Sequence, residues 1–248
     1  YFIYNGTLLK SGELIFSADN RSFRYGDGCF ETMKMTNGDI ALSHYHFERL
    51  FSSLHTLKLK SATYFTHGYL SEQIKSLAAQ NNHSHLARIR LTVFRNDSDS
   101  DENKNNQFGY TIQSWQLNEE TLKINKAGLI TGLFKDAKKT CDNFSHIKSN
   151  NYLPYTMASM WAKENKLDDA FLLNSFKRVA DASIANIFIV KNGKIKTPAL
   201  SEGCIAGVMR RHLIKCIKEE NIPFEETLIV TEELPEAHEI FLTNAIRE

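Results

Sequence analysis

The chain has 248 residues, of which 42% are hydrophobic and 24% are charged, a composition typical of a soluble globular protein with one or two domains. Its 30 basic and 29 acidic residues nearly cancel, so no overall charge attracts nucleic acid or an anionic membrane surface. We therefore expect small-molecule chemistry and no nucleic-acid partner.

The sequence shows no signal for a membrane or a secretory route. No apolar run approaches the roughly 20 residues that span a bilayer, and the first ten residues lack the pattern of a signal peptide. Cys29, Cys141, Cys204 and Cys216 form no CxxC pair, which disfavours both a disulfide framework and a zinc cage. We expect a cytoplasmic protein with reduced thiols. Because the chain starts at Tyr1 rather than Met and stops abruptly, we also expect missing residues at both ends.

Short strands open the predicted fold. Residues 1–6 and 13–18 are apolar enough for strands, and residues 29–42 have the pattern of a hairpin. Asn37 and Gly38 form its turn in this prediction, because both residues tolerate the positive backbone angles of a tight hairpin.

Two helices and a strand are predicted next. From Ser43, taken as an N-cap, apolar residues recur at spacings of three and four up to Leu57. A second helix covers residues 66–79. Residues 85–95 alternate apolar and polar side chains, as a half-buried strand does. The polar residues 97–106 predict a solvated loop.

The second half mixes strands and helices in the same way. After a strand at residues 108–117, the polar stretch at residues 118–126 predicts a linker. Further strands are predicted at residues 126–134, 168–174, 185–198 and 238–245, and helices at residues 148–165 and 208–219. We therefore predict an α+β fold with an N-terminal domain at residues 1–117 and a C-terminal domain at residues 118–248.

One lysine, Lys148 in "IKSNNYL", raises a chemical question. A lysine amine that binds a cofactor aldehyde also needs a partner for the cofactor's ring nitrogen and a cradle for its phosphate. A single lysine is not a motif, and most lysines are solvated surface charges.

A catalytic role for Lys148 is favoured by six motifs that occur in a fixed order along the chain: "DNRSFRYGDGCFETM", "HFERL", "KSNNYL", "DDAFLLNSFKRVADASIANIFIVKNGKIKTP", "GVMR" and "EIFLTNA". Together they resemble the class IV aminotransferase family of fold-type IV pyridoxal-phosphate enzymes, over nearly the full chain. The resemblance implies a two-domain fold of the D-amino-acid aminotransferase type with a pseudo-barrel second domain. It also implies an active site between the domains, pyridoxal 5'-phosphate as cofactor, and a homodimer.

The same resemblance implies roles for individual residues. Lys148 would bind the cofactor aldehyde and later move the proton at the reacting carbon, and Tyr152 would hydrogen-bond the ring hydroxyl. Arg49 would hold the phosphate, which a guanidinium matches with two parallel donors. A packed aromatic and a solvated arginine are the ordinary alternatives for Tyr152 and Arg49.

The phosphate would also meet backbone amides. "GVMR" begins a predicted helix, so the amides of Val208 and Met209 would point at an anion. Asn244 and Ala245 would add further amides.

Asp181 departs from the family pattern. The family usually has a glutamate facing the pyridine nitrogen, and this chain has Asp181 in "RVADASIAN". An aspartate can also keep the nitrogen protonated, although it is shorter by one methylene. The alternative is a turn or edge-strand aspartate that binds no ligand.

Two positions favour one reaction within the family. The family contains branched-chain and D-amino-acid aminotransferases, and also aminodeoxychorismate lyase, which releases 4-aminobenzoate and pyruvate. Met209 and Ala245 stand where its aminotransferases often carry threonines, and this replacement favours the lyase. An aminotransferase and a catalytically silent cofactor-binding homologue remain open as alternatives.

Either reaction would take a small carboxylate-bearing amine. Arg90 sits near the family's cationic carboxylate contact, and Tyr25 is close to a pocket aromatic, although each could be structural. The histidine pairs at residues 44 and 46 and at residues 83 and 85 have no third ligand at suitable spacing, so we expect no metal site.

Overall fold

The computed structural model describes residues 1–96 and 108–247. The chain folds into two compact units. Unit 1 comprises Tyr1–Lys123 and Lys148–Asn151, and unit 2 comprises Ile124–Ile147 and Tyr152–Glu248. The chain therefore leaves unit 1, returns to it for four residues, and leaves it again. The loop predicted at residues 97–106 lies outside the described residues.

Unit 1 is built on a six-stranded sheet with the order β2-β1-β6-β5-β3-β4, in which every neighbouring pair is antiparallel. Its strands are β1 (Phe2–Tyr4), β2 (Thr7–Leu9), β3 (Gly28–Thr36), β4 (Asp39–Ile40), β5 (Leu86–Arg95) and β6 (Phe108–Gln116). Asn37 and Gly38 have φ values of 50° and 82°, which confirms the predicted hairpin turn between β3 and β4. The predicted alternation is confirmed on β5, where Ala87, Ile89, Leu91 and Val93 are all buried.

The described α-helices of unit 1 are α1 (Arg21–Tyr25), α2 (Ser43–Thr56) and α3 (His67–Gln80), and a short 3-10 helix covers Glu119–Leu122. The predicted N-cap of α2 was wrong. Leu42, with φ 52°, is the N-cap, and Ser43 is the first helical residue, because the chain turns directly from β4 into the helix. The strand predicted at residues 13–18 was also wrong. That segment is apolar, but Leu14 is 98% exposed and no buried face forms there.

Among its described residues, unit 2 contains two sheets, two α-helices and two short 3-10 helices, at Leu200–Glu202 and Thr231–Glu233. The three-stranded sheet has the order β7-β8-β9 and the four-stranded sheet has the order β12-β11-β10-β13. The strands are β7 (Thr131–Lys139), β8 (Asp169–Asn174), β9 (Val179–Ala182), β10 (Asn186–Lys191), β11 (Lys194–Pro198), β12 (Phe224–Thr227) and β13 (Glu239–Thr243). The helices are α4 (Leu153–Glu164) and α5 (Val208–Glu219). α5 has the predicted bounds.

The helix predicted from Lys148 begins later. α4 starts at Leu153, and Pro154 occupies its first turn, where a residue without an N–H group is tolerated. Residues 148–150 are not helical, because their backbone groups hydrogen-bond to β3 instead of to a helix.

Core packing in unit 2 fixes both helices. Tyr155, Ala158 and Ala162 of α4 pack against Phe134 and Leu172. On α5, Ile214 and Ile217 pack against Phe188 of β10 in the same way. No helix among the described residues is both long and apolar enough to cross a bilayer.

Candidate active site

Lys148 lies on an extended segment that pairs with the start of β3. The Phe30 N–H donates to the Lys148 carbonyl at 2.9 Å, and the Asn150 N–H donates to the Gly28 carbonyl at 2.9 Å. The Asn150 side chain also donates to the Val93 carbonyl of β5 at 3.2 Å. Backbone pairing, rather than a helix, therefore holds this lysine.

Two cations lie against one aromatic ring in unit 1. Lys148 Nζ is 4.7 Å from the centroid of the Phe30 ring, and Arg90 Cζ is 3.8 Å from the same centroid. Arg90 Nε also donates to Thr92 Oγ1 at 3.1 Å. The ring attracts both cations through its quadrupole, and two positive charges so close together favour an anion beside them.

Arg49 is engaged by a buried carboxylate. Its Nε donates to Glu31 Oε1 at 2.8 Å and its Nη2 to Glu31 Oε2 at 2.5 Å, and its side chain is 11% exposed. His46 Nδ1 lies 2.6 Å from the same Oε2. Burial lowers the pKa of His46 despite the neighbouring carboxylate, so a neutral ring that donates from Nδ1 fits this pair. Glu31 lies inside the motif "DNRSFRYGDGCFETM", but nothing in its sequence context indicated this ion pair.

Tyr25 has the most exposed position of the residues predicted in unit 1. It is the last residue of α1, is 66% exposed, and lies 5.8 Å from the Arg21 guanidinium, measured from Cζ to the ring centroid. Its predicted substrate contact remains a prediction.

Asp181 is a buried acid on the edge strand β9 of unit 2. Its side chain accepts three hydrogen bonds: from Tyr155 Oη at 2.7 Å, from the Ile205 N–H at 2.8 Å and from Asn186 Nδ2 at 2.8 Å. Burial raises the pKa of Asp181 to about 6, although these donors and nearby Lys139 oppose that rise. Asp181 does lie on an edge strand, as one sequence-based alternative predicted, but that alternative included neither its burial nor its three hydrogen-bond donors.

Tyr152 is the N-cap of α4, one turn before Tyr155. The two rings stack with their centroids 4.4 Å apart, and Tyr152 Oη donates to the Ser183 carbonyl at 3.5 Å. Lys139 Nζ lies 4.7 Å from the centroid of the Tyr155 ring. Neither Tyr155 nor Lys139 was predicted as a site residue, because an aromatic residue on a helix and a lysine on a strand are ordinary in sequence.

Asn186 joins three predicted parts of the site in unit 2. Its Nδ2 donates to Asp181 and also to the Ile205 carbonyl at 2.9 Å. A Cβ atom added to Gly207, the N-cap of α5, would lie 1.8 Å from Asn186 Oδ1. Asn186 also pairs across the sheet with Thr243 of β13. The Asn186 side chain thus meets the acid and the start of α5, and the Asn186 backbone pairs with the end of β13.

The groups around Asn186 can bind an anion. The first N–H groups of α5, which include those of Val208 and Met209, have no partner within the helix. Thr243 Oγ1 is buried without a hydrogen-bond partner among the described residues. Asn244 Oδ1 accepts from the N–H groups of Ile246 and Arg247 at 2.9 and 2.8 Å, which fixes the turn containing Ala245. Across residues 1–96 and 108–247, no cluster of three or more His, Cys, Asp or Glu side chains could hold a metal ion.

The chain matches one protein family and is similar in sequence to several known enzymes. Residues 28–248 match the family model described as amino-transferase class IV. The chain is 27% identical over 254 residues to an aminodeoxychorismate lyase of Bacillus subtilis, covering 98% of this chain and 83% of the relative. It is 24% identical over 253 residues to a D-alanine aminotransferase of Bacillus licheniformis, covering 99% and 85%.

The fold is similar to that of a solved aminotransferase. The branched-chain aminotransferase of Thermoproteus uzoniensis, solved with norvaline, superposes with a TM-score of 0.85 at 25% identity. The match covers 100% of this chain and 84% of the other. The predicted α+β class and its two-domain type are thereby confirmed.

Proposed function

We propose that this chain, which belongs to the amino-transferase class IV family of pyridoxal-phosphate-dependent enzymes, is a 4-amino-4-deoxychorismate lyase. Its products would be 4-aminobenzoate and pyruvate. The observation that carries the choice of reaction is the pair Met209 and Ala245, which lack hydroxyl groups where aminotransferases of the family often carry threonines. The similarity to the Bacillus subtilis lyase over 98% of this chain supports the same choice.

The donor groups of unit 2 fit pyridoxal 5'-phosphate. Asp181 is a buried carboxylate, which suits a protonated ring nitrogen. The first amides of α5, at Val208 and Met209, suit the phosphate, and the buried Thr243 hydroxyl still lacks a partner among the described residues. We propose that Asn244 and Ala245 complete the phosphate site and that Tyr152 holds the ring hydroxyl.

The cations of unit 1 fit the remaining roles. When bound, the cofactor supplies an aldehyde that captures an amine and a ring that accepts electrons. We propose that Lys148 Nζ holds that aldehyde and later takes the proton from the amine-bearing carbon of the substrate. Arg49 then binds the phosphate, and Arg90 orients a substrate carboxylate with its guanidinium. Tyr25 is the proposed aromatic neighbour of the substrate.

Loss of that proton completes an aromatic ring in the substrate. The electron pair of the broken C–H bond flows into the new ring and expels the enolpyruvyl group, which ends as pyruvate. No second substrate is needed for this cycle. The residues of this chain therefore have to place one proton acceptor, Lys148, and exclude a competing transfer of that proton to the cofactor.

We also propose a cytoplasmic homodimer. Three apolar side chains are exposed on one side of α4, where a helix face in water normally carries polar residues: those of Leu153, Met157 and Met160. A second copy of the chain would cover them. Light scattering on the purified protein measures the oligomeric state directly.

Two alternatives rest on specific observations. The similarity to the branched-chain aminotransferase of Thermoproteus uzoniensis favours an aminotransferase, in which Lys148 would return the proton to the cofactor and a 2-oxo acid would complete the cycle. The substitution of the usual glutamate by Asp181 favours a silent homologue that binds the cofactor without turnover.

The test is pyruvate release from 4-amino-4-deoxychorismate by the cofactor-loaded protein, followed with a pyruvate-consuming dehydrogenase. Lys148→Ala should abolish release, and Lys194→Ala, an exposed lysine of β11, should leave it unchanged. Intact cofactor binding without pyruvate release would exclude the lyase. A panel of D- and L-amino acids would then distinguish the aminotransferase from the silent homologue.

A further inference from the structure

Unit 2 contains a buried hydrogen bond that the proposed reaction does not use. Tyr155 Oη donates to Asp181 Oδ2 at 2.7 Å, and the two residues are 4% and 1% exposed. The Tyr155 ring is fixed by core packing of α4 against Phe134 and Leu172. A phenol held this firmly keeps its hydroxyl in one place.

We propose that Tyr155 is a positioning residue that fixes both the orientation and the ionisation of Asp181, and that the charge of Lys139 favours the same carboxylate both directly and through the Tyr155 ring. The proposal rests on the proposed role of Asp181 toward the cofactor ring nitrogen. It extends that role to two residues that do not touch the cofactor in our assignment.

The orientation follows from the three donors on Asp181. Tyr155 Oη and the Ile205 N–H both reach Oδ2, and Asn186 Nδ2 reaches Oδ1. An ionised carboxylate has about four lone-pair sites, so these donors leave about one site for a further N–H group. One remaining site matches the single N–H of a protonated pyridine. Asp181, whose carboxylate is fixed by three donors, thus presents one remaining acceptor site in a defined direction.

The ionisation follows from a balance of burial and donors. Burial favours the neutral acid, whereas the Tyr155 hydroxyl and the other donors favour the carboxylate, and the pKa of Asp181 comes to about 6. Loss of the Tyr155 donor leaves burial less opposed, so Asp181 would keep its proton to higher pH. A protonated Asp181 no longer stabilises a positive charge on the ring nitrogen.

Lys139 acts from the face of the Tyr155 ring. Its Nζ lies 4.7 Å from the ring centroid and 3.4 Å from the Ser145 carbonyl, and burial lowers its pKa. A cation over the ring draws electron density from the phenol and makes its O–H a stronger donor.

The titratable groups that face Asp181 come from three elements: Tyr155 from α4, Lys139 from β7, and Cys204 from the segment before α5. Burial raises the pKa of Cys204 to about 12, so this thiol stays neutral. Of the three groups, Lys139 is the one that is a cation when protonated.

The test measures the titration of Asp181 in the cofactor-free protein by carbon NMR of labelled aspartate carboxyls, with Asp181→Asn to assign the signal. We expect Tyr155→Phe to raise the midpoint by about one pH unit, the size expected for a lost hydrogen bond to a charged group. Tyr110→Phe, which removes a 2.8 Å hydrogen bond to Tyr69 in unit 1, should leave the midpoint unchanged.

A second variant covers the case in which Tyr155→Phe does not fold. Lys139→Met removes the charge while retaining most of the side chain, and it should raise the same midpoint by a smaller amount. Lys194→Met is its exposed control. An unchanged midpoint in whichever of Tyr155→Phe and Lys139→Met folds would overturn the proposal.

Cofactor affinity gives a further readout that a merely structural role would not move. Tyr155→Phe should weaken pyridoxal 5'-phosphate binding more at pH 6.5 than at pH 8.5, relative to the wild type, because high pH restores the carboxylate. A pH-independent loss would contradict the proposal. If Asp181→Asn instead leaves spectrum and turnover unchanged, the ring-nitrogen role of Asp181 fails, while the midpoint result still decides whether Tyr155 controls Asp181.

Discussion

Arg49 and Glu31 form a buried, two-pronged ion pair: Nε meets Oε1 at 2.8 Å and Nη2 meets Oε2 at 2.5 Å. Burial acts to raise the pKa of Glu31, but the Arg49 guanidinium, helped by His46, holds it at about 2. The arginine that we assign to the cofactor phosphate therefore has its orientation set by an acid of the neighbouring strand β3.

Glu31→Gln should destabilise the protein strongly. The substitution leaves the Arg49 guanidinium partly buried without its counter-charge, and removal of one partner of a buried pair costs about 3–5 kcal/mol. Urea unfolding measures this loss. Glu48→Gln, at an exposed position of the same helix as Arg49, should change the unfolding free energy by less than about 0.5 kcal/mol. Equal losses of unfolding free energy in the two variants would show that the Arg49–Glu31 ion pair does not stabilise the fold.

The same pair predicts an acid-sensitive stability. The pKa of Glu31 is about 2 in the folded chain and 4.5 in its ordinary state, so its contribution is complete above pH 4.5. The contribution should disappear as the pH falls from 4.5 toward 2. Unfolding measured across this range should show a steeper loss for the wild type than for Glu31→Gln, and parallel curves would contradict the expectation.

Asp181 should give a pH dependence of the opposite sign. Its pKa is raised from 3.8 to about 6, so between these values only the folded state keeps the proton. Stability of the cofactor-free protein should therefore fall as the pH rises from 4 to 7. A gap of about two pH units corresponds to about 3 kcal/mol. Asp181→Asn should lack this dependence, so its stability relative to the wild type should grow over the same range in denaturant titrations.

Gly207→Ala should weaken cofactor binding. The new Cβ would lie 1.8 Å from Asn186 Oδ1, so Asn186 would have to give up its hydrogen bonds to Asp181 and Ile205. We expect a loss of affinity of about tenfold or more for pyridoxal 5'-phosphate, measured by absorbance titration. Gly68→Ala is the matched control, because nothing lies within 4 Å of its added Cβ. An unchanged affinity for Gly207→Ala would show that Asn186 does not support the site.

Asn150→Ala should loosen the segment that carries Lys148. The side chain donates to the Val93 carbonyl at 3.2 Å and to Ser22 Oγ at 3.3 Å. Its removal should cost about 1 kcal/mol of stability and slow pyruvate release by about tenfold, since misplacement of the amine affects the reaction more than the fold. Asn165→Ala, which loses an exposed 2.8 Å hydrogen bond to the Trp161 carbonyl, should release pyruvate at the wild-type rate.

Local patterns were sufficient for the elements that follow regular periods. The alternation on β5, the Asn37-Gly38 turn and the full extent of α5 were all predicted, because each depends on neighbouring residues. Strands β9 and β12 were missed. All four residues of β9 are buried and so show no alternation, and β12 is the polar segment "FEET".

The site depends on long-range contacts that no local pattern contains. Lys148 was expected on a helix, but its carbonyl pairs with Phe30, which is far away in sequence. The sequence contains Glu31 and Tyr155 but does not show what they contact, because their partners Arg49 and Asp181 lie on other elements. The family resemblance supplied candidate positions such as Asp181, whereas the residues that orient them required coordinates.

The return of residues 148–151 to unit 1 has a consequence for how the chain is made. A ribosome adds about 5–20 residues per second, so the first 123 residues emerge before the segment 148–151, of which residues 148–150 pair with β3. Until then the Phe30 amide and the Gly28 carbonyl lack the partners they have in the finished protein. A fragment that ends at residue 123 would keep this strand edge open permanently, and such edges promote aggregation. Expression of unit 1 alone therefore calls for the segment 148–151 to be grafted onto the fragment.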